Sequence, residues 1–433
     1  MPSFRSWGNY PGPAQRSSSA TDIVQLTRRL EQTERNTLGV GMGRSYGDSC
    51  LAASGDVLDM HHMDRFVAAD WTTGVIRAEA GVTLKQVIDL ALPRGWFLPV
   101  TPGTKFVTLG GAVGNDVHGK NHHVHGTFGR HVGRLALLRS HEGIVECSPT
   151  DRPELFAATI GGLGLTGIIL WVEFTLMQVG CSELDEELLP CASLSEFFNT
   201  TLEQDPKFDY GVGWVDCTLT GKHLGAGYYS SANHRQSGTL QVANRTPLSV
   251  PVAPPFSLVN RLSLTCFNRA YRFLHGRPKS RVVNYEAFFY PLDRIHHWNR
   301  IYGNRGFQQF QCVIPLEAAA EGMNALLTKI SSSFTGSFLT VLKRCGDLPS
   351  PGLLSFPMPG YSFAIDFSQS KRLQPLFNEL DAIVADFGGR LYPAKDAHME
   401  GSHFRAAYPE WERVERLRDP KLMSHFWQRV TNL

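Results

Sequence analysis

The segment HGKNHHVHG, which begins at residue 118, places four histidines and a lysine within eight consecutive positions. So many imidazoles close together suit a metal site, and His118 and His122 stand four residues apart, as two ligands on one helical turn would. Glycines flank the run, however, and Asp116 supplies the only nearby carboxylate. Two hypotheses compete, a metal site and some other chemistry that needs this stretch, and we favour the second.

Three glycine-rich loops lie within the first 170 residues. Their sequences are GVGMGRSYGDS (39–49), PGTKFVTLGGAVGND (102–116) and GGLGLTGII (161–169). Glycine lets backbone N–H groups approach a ligand closely and form concave anion-binding sites. One such loop is a common turn, but three together indicate an extended ligand that carries phosphates. The chain has no GxxxxGK followed by Ser or Thr, which excludes a P-loop nucleotide hydrolase.

The third loop also matches the GxGxxG spacing of dinucleotide-binding turns, through Gly162, Gly164 and Gly167. In a Rossmann fold that turn follows a strand and opens a helix. Here the predicted order is reversed, because the helical segment DRPELFAAT precedes the loop and the strand GIILWVEFTLM follows it. We therefore reject a Rossmann fold.

The glycine-rich loops must be positioned by the strands and helices that flank them. Short predicted strands and helices alternate along the first 175 residues. The segments SATDIVQLTRRL and TLKQVIDLALPRG carry apolar residues at helical spacing, and Thr83 is a suitable N-cap for the second. The segments TLGVGMG, DVLDM and GVIRAEAG are predicted strands. Each glycine-rich loop then falls at the end of an element.

The second half of the chain is dominated by predicted strands, among them YGVGWVDCT, NYEAFFYPL, FQQFQCVIP, SFLTVLKRC and YSFAIDF. Two helices, EAAAEGMNALLTKI and KRLQPLFNELDAIVADFG, follow members of this set, and GRLYP returns as a strand. This order predicts an α+β domain around an antiparallel sheet. The proline-rich segment RTPLSVPVAPPFSLVNRLSLTCF is interpreted as an irregular surface loop, or else as a flexible flap or lipid-facing entrance.

Composition narrows the class of protein. A length of 433 residues suggests two or three domains, and 42% hydrophobic against 19% charged residues argues against disorder. A net charge of +2 gives no electrostatic case for nucleic acid. The eight cysteines form no CxxC pair, so we expect reduced, mostly buried thiols. Without a secretory or transmembrane segment we expect a cytoplasmic protein, with peripheral contact at the inner membrane left open.

Several of these motifs together resemble a known superfamily. The segments GRSYGD, TLGGAVGNDVHGKNHH, GLTGII and RLYPAKD resemble the FAD-binding oxidoreductases of the vanillyl-alcohol-oxidase type, and within them the decaprenylphosphoryl-β-D-ribose 2-oxidase family. The resemblance covers nearly the whole chain. It implies an α+β fold with a two-part FAD-binding domain (1–178), an antiparallel-sheet cap domain for substrate (179–385) and a C-terminal segment (386–433) that returns to the flavin site.

The resemblance implies FAD as cofactor and assigns residues to it by position. The residues that would hold the pyrophosphate of FAD are Gly41, Gly43, Arg44, Ser45, Tyr46, Gly47, Asp48 and Ser49. The rest of the dinucleotide would contact Gly103, Thr108, Leu109, Gly110, Gly111, Asn115, Asp116, Val117 and His118, with Ile169 near the adenine half and Tyr392 near the flavin. Many superfamily members attach flavin to a histidine of the first loop. This loop has none, so we expect non-covalent FAD.

The resemblance also assigns catalytic and substrate-binding roles. Lys395 would stabilise the reduced flavin electrostatically, and His118 would accept the hydroxyl proton or orient the sugar. The substrate-binding residues would be Lys120, Trp214, Phe289, Gln309, Gln311 and Lys343. From the residues alone each has a plainer alternative, such as a surface lysine, a polar strand face or a core aromatic. Metal ligands are not expected.

The implied reaction oxidises the 2-hydroxyl of a polyprenyl-phosphate-linked ribofuranose to the 2-keto sugar by hydride transfer to flavin N5. It would be the first half of a 2-epimerisation that a separate NAD(P)H-dependent short-chain reductase completes, in arabinose biosynthesis for the cell envelope. The alternative is a soluble alditol or aldonolactone oxidase that uses oxygen. Two residues depart from the mycobacterial pattern, since Phe289 replaces a tyrosine and Ala364 replaces the cysteine that covalent inhibitors attack.

Overall fold

The computed structural model describes residues 3–12, 14–34, 36–243, 248–333 and 335–432. Its strands are β1 Ser3–Phe4, β2 Gln15–Ser19, β3 Leu38–Val40, β4 Asp56–Asp59, β5 Phe66–Asp70, β6 Val75–Glu79, β7 Trp96–Phe97, β8 Val132–Arg139, β9 Gly143–Cys147, β10 Ile168–Thr175, β11 Met177–Gln178, β12 Glu183–Cys191, β13 Tyr210–Val215, β14 Gly227–His234, β15 Leu248–Ser249, β16 Lys279–Asn284, β17 Ile295–His296, β18 Phe307–Pro315, β19 Thr340–Cys345, β20 Gly360–Ser368 and β21 Arg390–Leu391. Its helices are α1 Ile23–Gln32, α2 Leu84–Ala91, α3 Leu109–Gly114, α4 His122–His125, α5 Pro153–Thr159, α6 Leu194–Gln204, α7 Arg261–Leu274, α8 Tyr285–Phe289, α9 Ala319–Ser332, α10 Leu373–Asp386, α11 Gly401–Ala407, α12 Trp411–Leu417 and α13 His425–Thr431. The α+β class is confirmed.

Two larger sheets and the two-stranded sheet β7-β11 lie in the N-terminal part. The first has the order β1-β2-β4-β3, with β4 parallel to both of its neighbours, and the second is antiparallel with the order β5-β6-β10-β8-β9. Helix α2 begins where predicted, because Thr83 and Gln86 form a reciprocal capping box. Helix α5 precedes the third glycine-rich loop and β10 follows it, so the element order that argued against a Rossmann turn is confirmed.

The cap is an eight-stranded antiparallel sheet with the order β16-β12-β14-β13-β19-β20-β18-β21. Helices α6, α9 and α10 pack on one of its faces. Successive strand residues point to opposite faces, so the alternate residues Phe310, Cys312 and Ile314 of β18 enter the core beneath these helices. Their neighbours Gln309 and Gln311 face the other side. The sequence pattern of β18 therefore presents polar side chains to the space between the cap and the N-terminal sheets.

The C-terminal segment (386–433) contacts both the cap sheet and the first N-terminal sheet. Strand β21 extends the cap sheet, whereas residues 419–429 return to the first sheet through bridges of Leu422 to Thr37 and of Ser424 to Ala52. Arg429 of α13 contacts the carboxylates of both Asp48 and Asp396. This segment thus lies against the first glycine-rich loop, while the domain boundaries themselves stay a prediction.

Two predictions about local structure were wrong. The segment NYEAFFYPL forms helix α8 instead of a strand, because the Asn284 side chain accepts a hydrogen bond from the backbone N–H of Glu286 and caps a helical turn. The proline-rich segment is irregular only in part, since α7 begins at Arg261 with Asn260 as its cap. Residues 245–247 of that segment lie outside the described part of the chain.

Candidate active site

A cavity of about 540 Å³ lies between the N-terminal sheets and the inner face of the cap sheet. The glycine-rich loops line one end, and β13, β18, β19, β20 and α7 line the other. Most of the predicted site residues line it, namely Gly41, Gly43, Arg44, Ser45, Tyr46, Ser49, Gly103, Thr108, Gly110, Gly111, Asn115, Val117, His118, Lys120, Ile169, Trp214, Phe289, Gln309, Gln311, Lys343, Tyr392 and Lys395. Residues that are far apart in sequence therefore meet in one space.

The first loop has the backbone shape of an anion cradle. Gly43 has φ of +60°, and a Cβ atom on Gly41 would meet Thr108 Oγ1 at 2.2 Å. The backbone N–H groups of residues 42–45 donate to no acceptor in the described part of the chain. Such N–H groups can bind phosphate oxygens.

Three buried polar side-chain atoms in the cavity wall have no hydrogen-bond partner within the described residues: Arg44 Nε, Ser49 Oγ and His118 Nδ1. Buried polar groups are almost always hydrogen-bonded in native proteins. An extended polar ligand would supply the missing partners, so the residues present fit a bound dinucleotide.

Lys395 lines the cavity beside Tyr46 of the first glycine-rich loop. Its Nζ lies 3.7 Å from the centroid of the Tyr46 ring and donates no hydrogen bond to the described residues. Burial lowers the pKa of Lys395 to about 7, and the nearby carboxylate of Asp366 opposes that shift. Asp366 is fully buried and accepts a hydrogen bond of 2.7 Å from Gln309 Nε2. Burial raises the pKa of Asp366 to about 7, so both groups titrate near neutral pH, and each favours the charged form of the other.

His118 faces the same region beside a second amide. Gln311 Nε2 donates to His118 Nε2 over 3.2 Å, an arrangement in which Nδ1 carries the ring proton. If the Gln311 amide were rotated by about 180°, its oxygen would face His118 Nε2. Nε2 would then carry the ring proton, and Nδ1 would have a lone pair available as an acceptor. Burial and the positive charge of Lys343 hold the pKa of His118 well below its ordinary value, so the imidazole is neutral at pH 7.

Two further lysines stand on the cap side of His118. Lys343 Nζ donates to Gly119 O over 2.8 Å, and Lys120 Nζ donates to Phe288 O. Burial lowers the pKa of each lysine to about 8. An ammonium group can donate three hydrogen bonds, so both retain donors for an anionic ligand.

Beyond the lysines, the cavity continues into an aromatic arm, which we define by Trp214, Tyr228, Tyr271 and His275. Trp214 and Tyr228 are stacked with centroids 5.9 Å apart, and Tyr271 meets Trp214 edge-on at 4.9 Å. The Tyr228 and Tyr271 hydroxyls are hydrogen-bonded over 2.8 Å. This arm suits an apolar or flat group.

Four residues assigned to the cofactor lie outside the cavity lining: Gly47, Asp48, Leu109 and Asp116. Asp48 binds Arg429 at 2.9 Å, and Gly47 is packed so closely that an added Cβ would meet Asp396 O at 1.7 Å. Asp116 accepts hydrogen bonds of 2.5 Å from Ser350 and Ser355. The carboxylates of Asp48 and Asp116 therefore bind other parts of the protein. The assignment of these four residues to the cofactor stays a prediction, and it would rest on their backbone.

The remaining histidines of the opening segment contact separate partners. His122 Nδ1 accepts from Gly346 N over 3.1 Å, His123 Nε2 lies 2.9 Å from Phe208 O, and the carbonyl of His125 is bound by His131. In residues 3–432, apart from the short gaps noted above, no three metal-ligating side chains come together.

The sequence analysis missed Trp7 and Asp293, which line the wall, and Asp366, which lies behind it and is bonded to Gln309. Asp366 stands directly opposite Gln309 in the β18–β20 register, so only the strand pairing shows its position. The signal for Trp7 was an aromatic residue in a polar, glycine-containing segment near the N-terminus. Its ring centroid lies 4.0 Å from the Arg44 guanidinium carbon.

Comparison with known proteins gives a consistent result. Residues 16–148 match the model of a family described as FAD binding domain. A decaprenylphosphoryl-beta-D-ribose oxidase of Mycolicibacterium smegmatis is 35% identical over 421 residues, which cover 93% of this chain and 91% of that protein. An uncharacterised Streptomyces coelicolor protein is 31% identical over 78% of this chain and 95% of its own length. The L-gulonolactone oxidase of Bos taurus is 27% identical, over 48% of this chain and 46% of its own.

Proposed function

The chain belongs to the decaprenylphosphoryl-β-D-ribose oxidase family of FAD-dependent oxidoreductases, and on this premise we propose that it oxidises the 2-hydroxyl of a polyprenyl-phosphate-linked ribofuranose to the 2-keto sugar. One observation carries the proposal. A glycine-rich anion cradle, a half-buried lysine whose amine donates no hydrogen bond to the described residues and a pair of cationic side chains open into a single cavity.

The cradle end would hold FAD without a covalent bond, through the loop N–H groups, Arg44 and Ser49. When bound, FAD supplies the hydride acceptor, N5 of its ring system. Lys395 would lie where negative charge develops during the reaction, and a preorganised cation in a dry site lowers the barrier to that charge. The proximity of Lys395 to Tyr46, 3.7 Å, supports this role because Tyr46 belongs to the cradle.

The cap end would hold the sugar phosphate. Gln309 and Gln311 present amides, which donate to and accept from hydroxyls, and both face the cavity from β18. Lys120 and Lys343 would bind the phosphate as compact cations. Trp214 and Phe289 would enclose the sugar and the start of the lipid chain.

His118 would accept the hydroxyl proton. Because burial keeps its imidazole neutral, it has one lone pair to offer at pH 7. Acceptance at Nδ1 requires that Gln311 present its carbonyl oxygen to Nε2, so Gln311 would select the reactive tautomer. The 2-keto product would pass to a separate NAD(P)H-dependent reductase, which completes a 2-epimerisation for arabinose biosynthesis.

The test is an anaerobic substrate panel with purified holoenzyme. Loss of flavin absorbance with dispersed polyprenyl-phosphoribose, and none with xylitol or an aldonolactone, supports the proposal. Reduction by xylitol or the lactone but not by the lipid sugar would assign the chain to soluble alditol or aldonolactone oxidation instead.

A further inference from the structure

The outer face of helix α7 (Arg261–Leu274) carries large apolar side chains that are exposed to solvent. Leu262, Cys266, Arg269 and Phe273 follow one another at helical spacing and so share a face. Leu262 is 75% exposed and Phe273 is 86% exposed. Monomeric proteins rarely leave large apolar side chains grouped in this way.

The segment before the helix adds to this surface. Val252 and Phe256 are 71% and 67% exposed, and Leu258 is also exposed. We call the exposed side chains of residues 248–274 the α7 surface. In the described part of the chain, no helix is long and apolar enough to cross a membrane.

The charged residues of the segment that carries the α7 surface are all basic. Residues 248–281 contain six arginines and lysines and no aspartate or glutamate. Arg272 and Arg281 are paired with Asp216 and Glu186. Arg269, Arg277 and Lys279 have no carboxylate partner among the described residues. An apolar face bordered by uncompensated cations is complementary to a bilayer that contains anionic lipids.

The opposite face of α7 touches the cavity. Tyr271 of α7 and His275, which follows it, belong to the aromatic arm, and Phe267 stacks on Tyr271 with centroids 5.3 Å apart. Asn268 anchors the helix to Asp216 over 2.8 Å. The α7 surface and the aromatic arm of the cavity therefore lie on opposite faces of the same helix.

We propose that the α7 surface binds the face of an anionic lipid bilayer and places the aromatic arm where a membrane-embedded substrate can enter it. The bilayer contact rests on the exposed side chains and their charges. The delivery of substrate rests in addition on the proposed function.

The test uses full-length holoenzyme and vesicles made of equal parts phosphatidylcholine and phosphatidylglycerol. We expect wild type to sediment with these vesicles, less so with phosphatidylcholine alone, and less as salt increases. Leu262→Ser with Phe273→Ser should reduce the partition coefficient at least about tenfold. Arg269→Glu should reduce it by about fivefold or more. The matched controls are Val24→Ser with Ile144→Ser, which alter exposed apolar residues elsewhere, and Lys371→Glu.

Cys266, which is the exposed cysteine, offers a second measurement. A polarity-sensitive fluorophore there should shift to shorter wavelength when the vesicles are added. The proposal would be overturned if wild type did not sediment with the vesicles, or if the double-serine variant sedimented with them as well as wild type does. So would a dimer in vesicle-free solution that Phe273→Ser dissociates, since a second copy would then cover the surface.

Flavin reduction by detergent-dispersed polyprenyl-phosphoribose separates the two proposals. The double-serine variant should reduce its flavin at the wild-type rate in detergent and more slowly with substrate in vesicles. If dispersed substrate leaves the flavin of wild type oxidised, the proposed function fails, whatever the vesicle binding.

Discussion

The ammonium nitrogen of Lys395 lies 3.7 Å from the centroid of the Tyr46 ring, and the backbone beside each residue is joined as well. Tyr46 N donates to Ala394 O over 3.0 Å, and Asp48 N donates to Asp396 O over 3.3 Å. The cofactor cradle and the lysine motif near the C-terminus thus form one unit, although about 350 residues separate them. A change that moves the cradle must also move the lysine.

Replacement of Lys395 by methionine should leave FAD binding largely intact and slow anaerobic flavin reduction by about 100-fold or more, the effect of losing one preorganised charge-stabilising group. Stopped-flow absorbance measures the rate. The control is Lys371→Met, at an exposed lysine away from the cavity. A normal rate in Lys395→Met would remove Lys395 from the mechanism.

The rate of flavin reduction should depend on pH through the same lysine. A lysine is charged below its pKa, and burial lowers the pKa of Lys395 to about 7. The charged fraction, and with it the rate, should therefore decline as pH rises through this value. The Asp366 carboxylate raises the pKa of Lys395, so Asp366→Asn should move the decline to lower pH. A profile unchanged in Asp366→Asn would contradict this charge coupling.

Substitution of His118 by alanine should retain FAD and slow reduction by about 100-fold to 10,000-fold, the range for loss of a general base. Gln311→Leu should slow it less, because the tautomer is no longer selected but the imidazole remains. Both rates come from single-turnover experiments. A His118→Ala enzyme that reduces its flavin at the normal rate would show that another group takes the proton.

FAD should leave the polypeptide on denaturation. The first glycine-rich loop contains no histidine, and burial raises the pKa of the Cys50 thiol in the cavity wall to about 12, which keeps it protonated and unreactive. Acid precipitation followed by absorbance of the supernatant measures the released flavin. Yellow colour that remains in the pellet, with a matching mass increase, would demonstrate covalent attachment.

Ala364 lies in the cavity wall on β20 and offers no thiol. An inhibitor that forms a bond with the cysteine of the mycobacterial relatives should therefore leave wild type unmodified, whereas Ala364→Cys should gain its mass. Intact-mass analysis and peptide mapping report both results. An adduct at residue 364 of the wild-type chain would be incompatible with this prediction.

Arg429 neutralises two buried carboxylates, Asp48 and Asp396, at 2.9 and 2.8 Å. Arg429→Ala should lower the free energy of unfolding by about 3–5 kcal/mol, because it leaves buried charge uncompensated. It should also weaken FAD binding, since Asp48 belongs to the first loop. Arg413→Ala, at a solvent-exposed pair with Glu410, should cost about 0–1 kcal/mol in the same denaturant titration. Equal losses in the two variants would argue against the special role of Arg429.

Local signals in the sequence predicted most of the elements. Helix α2 was predictable because its cap and its apolar spacing lie within one segment. Helix α8 was not, because its three aromatic residues favour a strand and only the Asn284 cap favours a helix. The pair Asn284 and Glu286, a cap followed by an acidic residue in the first turn, was the available signal.

Residues of the candidate site could be named from the sequence where a motif contains them, but not where only the pairing of strands brings them together. The resemblance named Lys395, His118 and Gln309, which all reach the cavity. It did not single out Asp366, whose role depends on a β18–β20 pairing that sequence spacing does not encode. It also assigned Asp116 to the cofactor, although neighbouring serines take up its carboxylate.

The contact of Arg429 with Asp48 spans 381 residues of chain. A ribosome adds about 5–20 residues per second, so Asp48 precedes its partner in the growing chain by roughly 20–75 s. Throughout that interval the first glycine-rich loop has neither Arg429 to neutralise Asp48 nor Ala394 to fix Tyr46. We therefore expect the cradle to reach its final shape, and to bind FAD, only after Arg429 has been synthesised.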